Sequence, residues 1–123
     1  FYEQAINLYN GEYLQNYYYD WLFPERRRIT QAYLSSLRAL ADHHYAHRRY
    51  TRSIELLERA LRVDSLQEDL YCQSLRVHAA LGDRAGLVSL YQEMKRVLAK
   101  ELDMEPLPAT ESLYQKLLEN FKN

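Results

Sequence analysis

Only three prolines and three glycines interrupt the 123 residues, and between Pro24 and Pro106 the only glycines are Gly82 and Gly86. Proline lacks the N–H that a helix interior needs, and glycine loses the most backbone entropy there. A chain this poor in both can run long helices with few stops. Leucine outnumbers isoleucine plus valine 21 to 7. The γ-branched side chain keeps its rotamers in a helix, whereas β-branched ones are restricted against the preceding turn. No segment alternates apolar and polar residues for long enough to make a strand. The expected fold class is all-α.

Stripes and end signals place the elements. Residues 1–9 read as the end of a helix stopped at Asn10-Gly11, glycine being the usual left-handed residue after a helix. A long helix is predicted from Trp21 or Pro24 to His47, with Ile29, Tyr33, Leu37, Leu40, Ala41 and His44 on its inward face. Thr51 is the expected cap of a helix through Val63 that turns Ile54, Leu57 and Leu61 inward. Ser65-Leu66-Gln67-Glu68 reads as a capping box for a helix to Leu81. Gly82-Asp83 supplies a turn and a cap for a helix over 84–98 or slightly beyond. Pro106-Leu107-Pro108 breaks the chain before a last helix near 110–121, striped by Leu113, Leu117 and Phe121.

The joining loops are short, so consecutive helices should pack antiparallel. A shift of 34 residues then maps Leu37 to Tyr71, Ala41 to Leu75, His44 to His78, Leu57 to Tyr91 and Ala60 to Met94, and the turn residue Arg48 to Gly82. Such a period is the mark of stacked supersecondary units, none of which can bury its apolar face alone. Within the first unit Leu37, Leu40, Ala41, His44, Tyr50, Ser53, Leu57, Ala60 and Ser65 follow the tetratricopeptide spacing. Small residues occupy the places where the two helices cross closely, while the second unit carries Leu87 and Met94 there. The expected architecture is tetratricopeptide-like, with stacked antiparallel helix hairpins forming an α-α superhelix.

Composition excludes several classes. Sixteen Lys and Arg against seventeen Asp and Glu leave a net charge of −1, too little for a broad grip on nucleic acid. Residues 1–63 carry nine basic and seven acidic groups, and residues 64–123 carry seven and ten. The single cysteine, Cys72, rules out an internal disulfide framework and fits a reducing compartment, so a cytoplasmic location is expected. No apolar run approaches the length of a membrane span. A start at Phe1 suggests a piece of a longer protein. The chain is expected to be one domain over 1–123, with an N-terminal helix and aromatic segment at 1–20, two hairpin repeats at 21–98, and a linker with a capping helix at 99–123.

Four stretches carry a family resemblance. They are Leu8-Tyr9-Asn10-Gly11-Glu12-Tyr13-Leu14; Trp21 with Glu25-Arg26-Arg27-Arg28-Ile29; Asp64-Ser65-Leu66-Gln67-Glu68-Asp69-Leu70-Tyr71; and Leu81-Gly82-Asp83-Arg84 running on to Glu101-Leu102-Asp103-Met104-Glu105-Pro106 and Thr110. In order and spacing they resemble the bacterial transcriptional activator domain, a tetratricopeptide-like module of bacterial regulators. Ser65 departs from a common proline, and Asn16 and Asp103 from common glycines; all three are acceptable turn or cap residues. The resemblance implies an N-terminal winged-helix DNA-binding domain outside this chain. It also implies a role in dimerisation or regulatory contacts, with DNA met only through that absent domain. Near-neutral charge agrees with this division.

Candidate chemistry is sparse. His43 and His47 stand at i, i+4, the spacing of two zinc ligands, but His44 holds the position where a metalloprotease needs glutamate. The repeat equivalence of His44 and His78 favours packing or hydrogen bonding for both. Cys72 has no resolvable base, so a structural thiol is expected. No phosphate loop, dinucleotide fingerprint or serine-hydrolase elbow occurs, and neither a cofactor nor a catalytic residue is expected. Tyr17-Tyr18-Tyr19, Trp21 and Phe23 should anchor the N-terminal segment against the first repeat. Arg26-Arg27-Arg28 diverge around the helix, so they should pair locally, and Glu55–Arg59 and Glu58–Arg62 should pair on a solvated face.

First helices of stacked pairs line the concave binding surface of solenoids. The tetratricopeptide spacing puts Ser35, Arg38, Asp42 and Tyr45 there in the first unit, and Asp69, Cys72, Gln73 and Arg76 in the second. This polar mixture suits an extended peptide or a helix of another domain, unless the chain's own last helix fills it. The expected function is a non-enzymatic regulatory and interaction domain of a bacterial DNA-binding regulator, with protein partners or a second copy and no membrane contact. The alternative is a peptide- or ligand-sensing repeat scaffold in a signalling protein without a DNA-binding domain.

Overall fold

The structure is a computed structural model that describes residues 24–121. The helix expected over 1–9, its stop at Asn10-Gly11, Asn16 and the aromatic cluster from Tyr17 to Phe23 lie outside the described residues. Five helices run in order: α1 (Pro24–Ala46), α2 (Tyr50–Val63), α3 (Glu68–Leu81), α4 (Arg84–Leu102) and α5 (Pro108–Asn120). No strand occurs among the described residues. The all-α expectation therefore holds, and the helix ends fall within a few residues of those read from the breakers. The chain divides into two compact units, Phe1–Asp64 and Ser65–Asn123.

In the first unit α1 and α2 form an antiparallel hairpin. The buried Ser53 hydroxyl near the start of α2 donates to the Ala41 carbonyl late in α1 at 2.8 Å. Further along α2, Arg59 donates to the Tyr33 hydroxyl earlier in α1 at 3.4 Å. Ala41, Ser53 and Ala60 are all fully buried, so small side chains stand where the helix axes approach, as the repeat spacing predicts. Leu37 and Leu57 are likewise fully enclosed. Thr30 and Ser36 are buried too, and each satisfies its hydroxyl on the carbonyl four residues back, Arg26 and Ala32 respectively.

Three sequence expectations fail here. Ile29 is 41% exposed: α1 has 23 residues and α2 only 14, so the first turns of α1 overhang the helix that would cover them. Leu34 and Leu56 are buried instead, off the stripe that periodicity marks. Thr51 does not cap α2, which begins at Tyr50 behind Arg49, with no side-chain capping bond. The Glu55–Arg59 pair is also absent, because Glu55 turns back to Arg52 at 3.3 Å while Arg59 reaches Tyr33.

In the second unit Gly82-Asp83 folds α4 back along α3, and α5 then returns beside α3. The Leu107 N–H donates to Glu68 at 2.8 Å, and Cys72 Sγ lies 3.4 Å from Thr110 Oγ1. Both chains of contact ascend together, so α5 starts in the same sense as α3. That is the place a repeat array gives to the first helix of its next unit. Tyr91 of α4 and Tyr114 of α5 stack with centroids 3.7 Å apart and planes 5° from parallel. The capping box is not formed as read: Glu68 opens α3 behind Gln67, and its carboxylate serves Leu107, 39 residues on.

The two turns follow one plan. Arg48 N–H donates to Tyr45 O and Arg49 N–H to His44 O; Gly82 N–H donates to Ala79 O and Asp83 N–H to His78 O. Arg48 and Gly82, 34 positions apart, both adopt left-handed backbone, with φ of 60° and 82°. Asp103 is left-handed as well at φ 51°, a conformation that aspartate adopts more readily than most residues other than glycine.

Two measurements check this packing. Leu57→Ala should cost about 2–5 kcal/mol in urea unfolding, and a loss below about 1 kcal/mol would place Leu57 outside the core. Gly82→Ala should destabilise by about 1 kcal/mol, whereas Arg48→Gly should be neutral or stabilising by up to about 1 kcal/mol. Equal signs for the two would contradict equivalent turns.

Candidate functional site

The expected partner surface consists of two helical stripes, one in each unit. On α1, Ser35, Arg38, Asp42 and Tyr45 recur at intervals of three or four and share one face. Ser35, Asp42 and Tyr45 are exposed and Arg38 is half-buried. On α3, Asp69 and Arg76 are exposed while Cys72 and Gln73 are half-buried. Here α5 seats its first turn beside the stripe, through the contacts of Cys72 with Thr110 and of Glu68 with Leu107. Part of the α3 stripe is thus occupied by the chain's own last helix. Cys72 is a half-buried thiol against a hydroxyl, as a structural cysteine would be.

The turn histidines form a second constellation. Arg49 Nε donates to His44 Nδ1 at 2.7 Å, a bond that exists only while Nδ1 carries a lone pair. Partial burial, then the charges of Arg49, His43, Arg52 and His47, hold the His44 imidazole below its ordinary value. In the second unit His78 Nδ1 donates to Asp83 Oδ2 at 3.2 Å, and Asp83 Oδ1 accepts from the Gly86 N–H at 2.9 Å. Asp83 is pushed below the usual carboxylate range first by that backbone bond and further by His78, against some desolvation. Glycine at 86 leaves room for this: a Cβ there would run into the Asp83 carboxylate and lie 2.8 Å from His78 Nδ1.

Both repeat-equivalent histidines bond the residue five positions on, with the polarity reversed. One accepts from a cation and the other donates to an anion. The repeat predicted that both would be engaged; the reversal follows from Arg49 standing where the second unit has Asp83.

The zinc-like spacing assembles no site. His47 Nδ1 donates to the His43 carbonyl at 2.8 Å, and the two rings lie side by side with centroids 4.4 Å apart. Among the described residues no group of three His, Cys, Asp or Glu side chains is placed to hold a metal ion. No described helix is long and apolar enough to cross a membrane.

The family model of the bacterial transcriptional activator domain matches residues 1–118. The chain belongs to this family. No curated protein and no solved structure matches it. A bacterial transcriptional activator domain is a transcription-regulator module and not an enzyme family.

The histidine geometry sets a pH dependence. His44 has a lowered value in the fold, so its contribution is complete above the unfolded value of about 6.5 and is lost as pH falls through the lower folded one. The melting temperature should fall more steeply between about pH 7 and pH 5 for the native chain than for His44→Asn, whose amide oxygen can still accept from Arg49. Identical slopes would mean that His44 is not held neutral by its surroundings.

Proposed function

We propose that this domain is the regulatory interaction module of a cytoplasmic bacterial DNA-binding regulator. The family match over residues 1–118 carries the reading, and the exposed polar stripe of α1 gives it a surface. The helical hairpins act as a scaffold. In the first hairpin the crossing is fixed by buried small side chains, so the outward stripe of α1 keeps a set geometry for dimerisation or for a regulatory partner. Ser35, Arg38, Asp42 and Tyr45 on α1 contact that partner. Asp69, Gln73 and Arg76 on α3 contribute beside the part of the helix that α5 already covers.

DNA recognition belongs to a winged-helix domain elsewhere in the regulator. The charge supports this division, since sixteen basic against seventeen acidic groups release few counterions from a duplex. The 123-residue chain should bind a random duplex with Kd weaker than about 100 μM at physiological salt. Tight, steeply salt-dependent binding would overturn the division. In the complete regulator, Ser35→Arg with Tyr45→Ala should lower activated transcription about fivefold or more, which corresponds to about 1 kcal/mol or more of lost contact. Operator binding and chain melting should stay unchanged. Undiminished activation would remove the α1 stripe from the mechanism.

A further inference from the structure

The imidazole bonds at the two turns differ in what a proton does to them. An arginine Nε always carries its hydrogen, so His44 Nδ1 is the acceptor from Arg49 and must keep a lone pair. His78 Nδ1 faces a carboxylate oxygen of Asp83, and His47 Nδ1 faces the His43 carbonyl. Neither oxygen donates, so both of these rings hold a hydrogen on Nδ1. A second proton, on Nε2, leaves those two bonds in place and sets a cation against Asp83. On His44 the second proton has only Nδ1 to go to. It replaces an accepted hydrogen bond by an imidazolium 2.7 Å from a guanidinium nitrogen.

Among the described residues the groups that face this charge share its sign. They are His43 and His47 from α1, Arg49 from the turn and Arg52 from α2. The His43 ring lies 5.5 Å from that of His44 and 4.4 Å from that of His47. Glu55, the first acidic residue of α2, is paired with Arg52, and Asp42 of α1 belongs to the outward stripe. Partial burial, and then those four charges, already hold the His44 imidazole below its ordinary value. The turn itself has little to resist with. Arg48 keeps left-handed backbone at φ 60°, a strain that Gly82 escapes. Closure rests on two main-chain bonds, Arg48 N–H to Tyr45 O and Arg49 N–H to His44 O, and on the side-chain bond between His44 and Arg49.

We propose that the α1–α2 turn is an acid-sensitive hinge: a proton on His44 expels Arg49 and opens this turn, while the equivalent α3–α4 turn stays closed. Opening ends at the bond from Ser53 to the Ala41 carbonyl, which contains no titrating group and keeps the hairpin in register. It reaches the α1 stripe through Tyr45, whose carbonyl accepts from Arg48 and whose ring meets that of Tyr50 across the turn at 5.6 Å. Acid thereby displaces Tyr45 from the outward face of α1 and weakens partner contact there. That last step rests on the interaction-domain reading; the opening itself does not.

The test is amide hydrogen exchange of the 123-residue chain, read residue by residue by NMR between about pH 7.5 and about pH 5. Protection factors, which remove the intrinsic pH dependence of exchange, should fall about tenfold at Arg48 and Arg49 per unit of pH below about 6.5. At Gly82 and Asp83 they should change less than about twofold. His44→Asn keeps an amide oxygen that accepts from Arg49 and does not titrate. Arg49→Gln brings an amide that donates to a neutral imidazole and accepts from a charged one. Each variant should hold the first turn closed across the range. Protection at Arg48 and Arg49 that ignores pH overturns the proposal, as do equal losses at both turns. So does the native response surviving in either variant with native helicity. Opening by acid, in a regulator that keeps full activation with Ser35→Arg and Tyr45→Ala, upholds the hinge and removes its link to the stripe. No opening, where those substitutions do lower activation, overturns the hinge and leaves the interaction-domain reading in place.

Discussion

The close crossing of α1 and α2 at Ala41, Ser53 and Ala60 is the constraint on which the first unit rests. A 14-residue helix is marginal in water alone and becomes stable by burying a face. Three small, fully buried residues let two backbones approach until a serine hydroxyl reaches a main-chain carbonyl. That bond satisfies a buried polar group and locks the helices against sliding, since a shift by one turn would strand the hydroxyl. The second unit reaches its hairpin differently. Leu75, Leu87 and Met94 fill the equivalent positions and are fully buried, and the aromatic stack of Tyr91 on Tyr114 ties the next helix to it.

The turn between paired helices is where structure and surface chemistry meet. Both units use the same backbone bonds and the same left-handed residue, yet one turn carries Gly82, Asp83 and His78 and the other Arg48, Arg49 and His44. The first set is locally satisfied: glycine without strain, a carboxylate on the helix start, an imidazole N–H on that carboxylate. The second is a cationic corner whose arginine backbone is strained and whose helix start has no anion.

Much of this was legible before any coordinates. Scarce glycine and proline, and leucine in place of β-branched residues, fixed the helical class, and the 34-residue shift located Arg48 and Gly82 as equivalent turn residues. It also paired His44 with His78, although not the opposite polarity of their partners. Legibility ended where burial depends on lengths and on distant partners. Ile29 keeps the stripe's phase but lies beyond the end of α2. Leu34 and Leu56 are buried off the stripe, so their helices bury a second face that a single periodicity cannot mark. The Ser65-to-Glu68 pattern is a good local cap by spacing, yet its carboxylate is claimed by Leu107 across 39 positions. The contacts Cys72–Thr110, which seats the last helix on the α3 stripe, and Tyr91–Tyr114, which ties it to α4, leave no local trace for the same reason.

The proposed interaction surface depends on which face each hairpin turns outward, so the register of the helices within each hairpin is the claim everything else uses. Proton–proton Overhauser contacts in solution test it most directly. The account requires cross-peaks between Ala41 and Ser53, between Tyr33 and Arg59, and between the rings of Tyr91 and Tyr114. A fully helical chain showing none of these, with Ala41 instead meeting residues near the end of α2, would mean that the hairpins are built in another register and that the stripes and the corner described above do not exist.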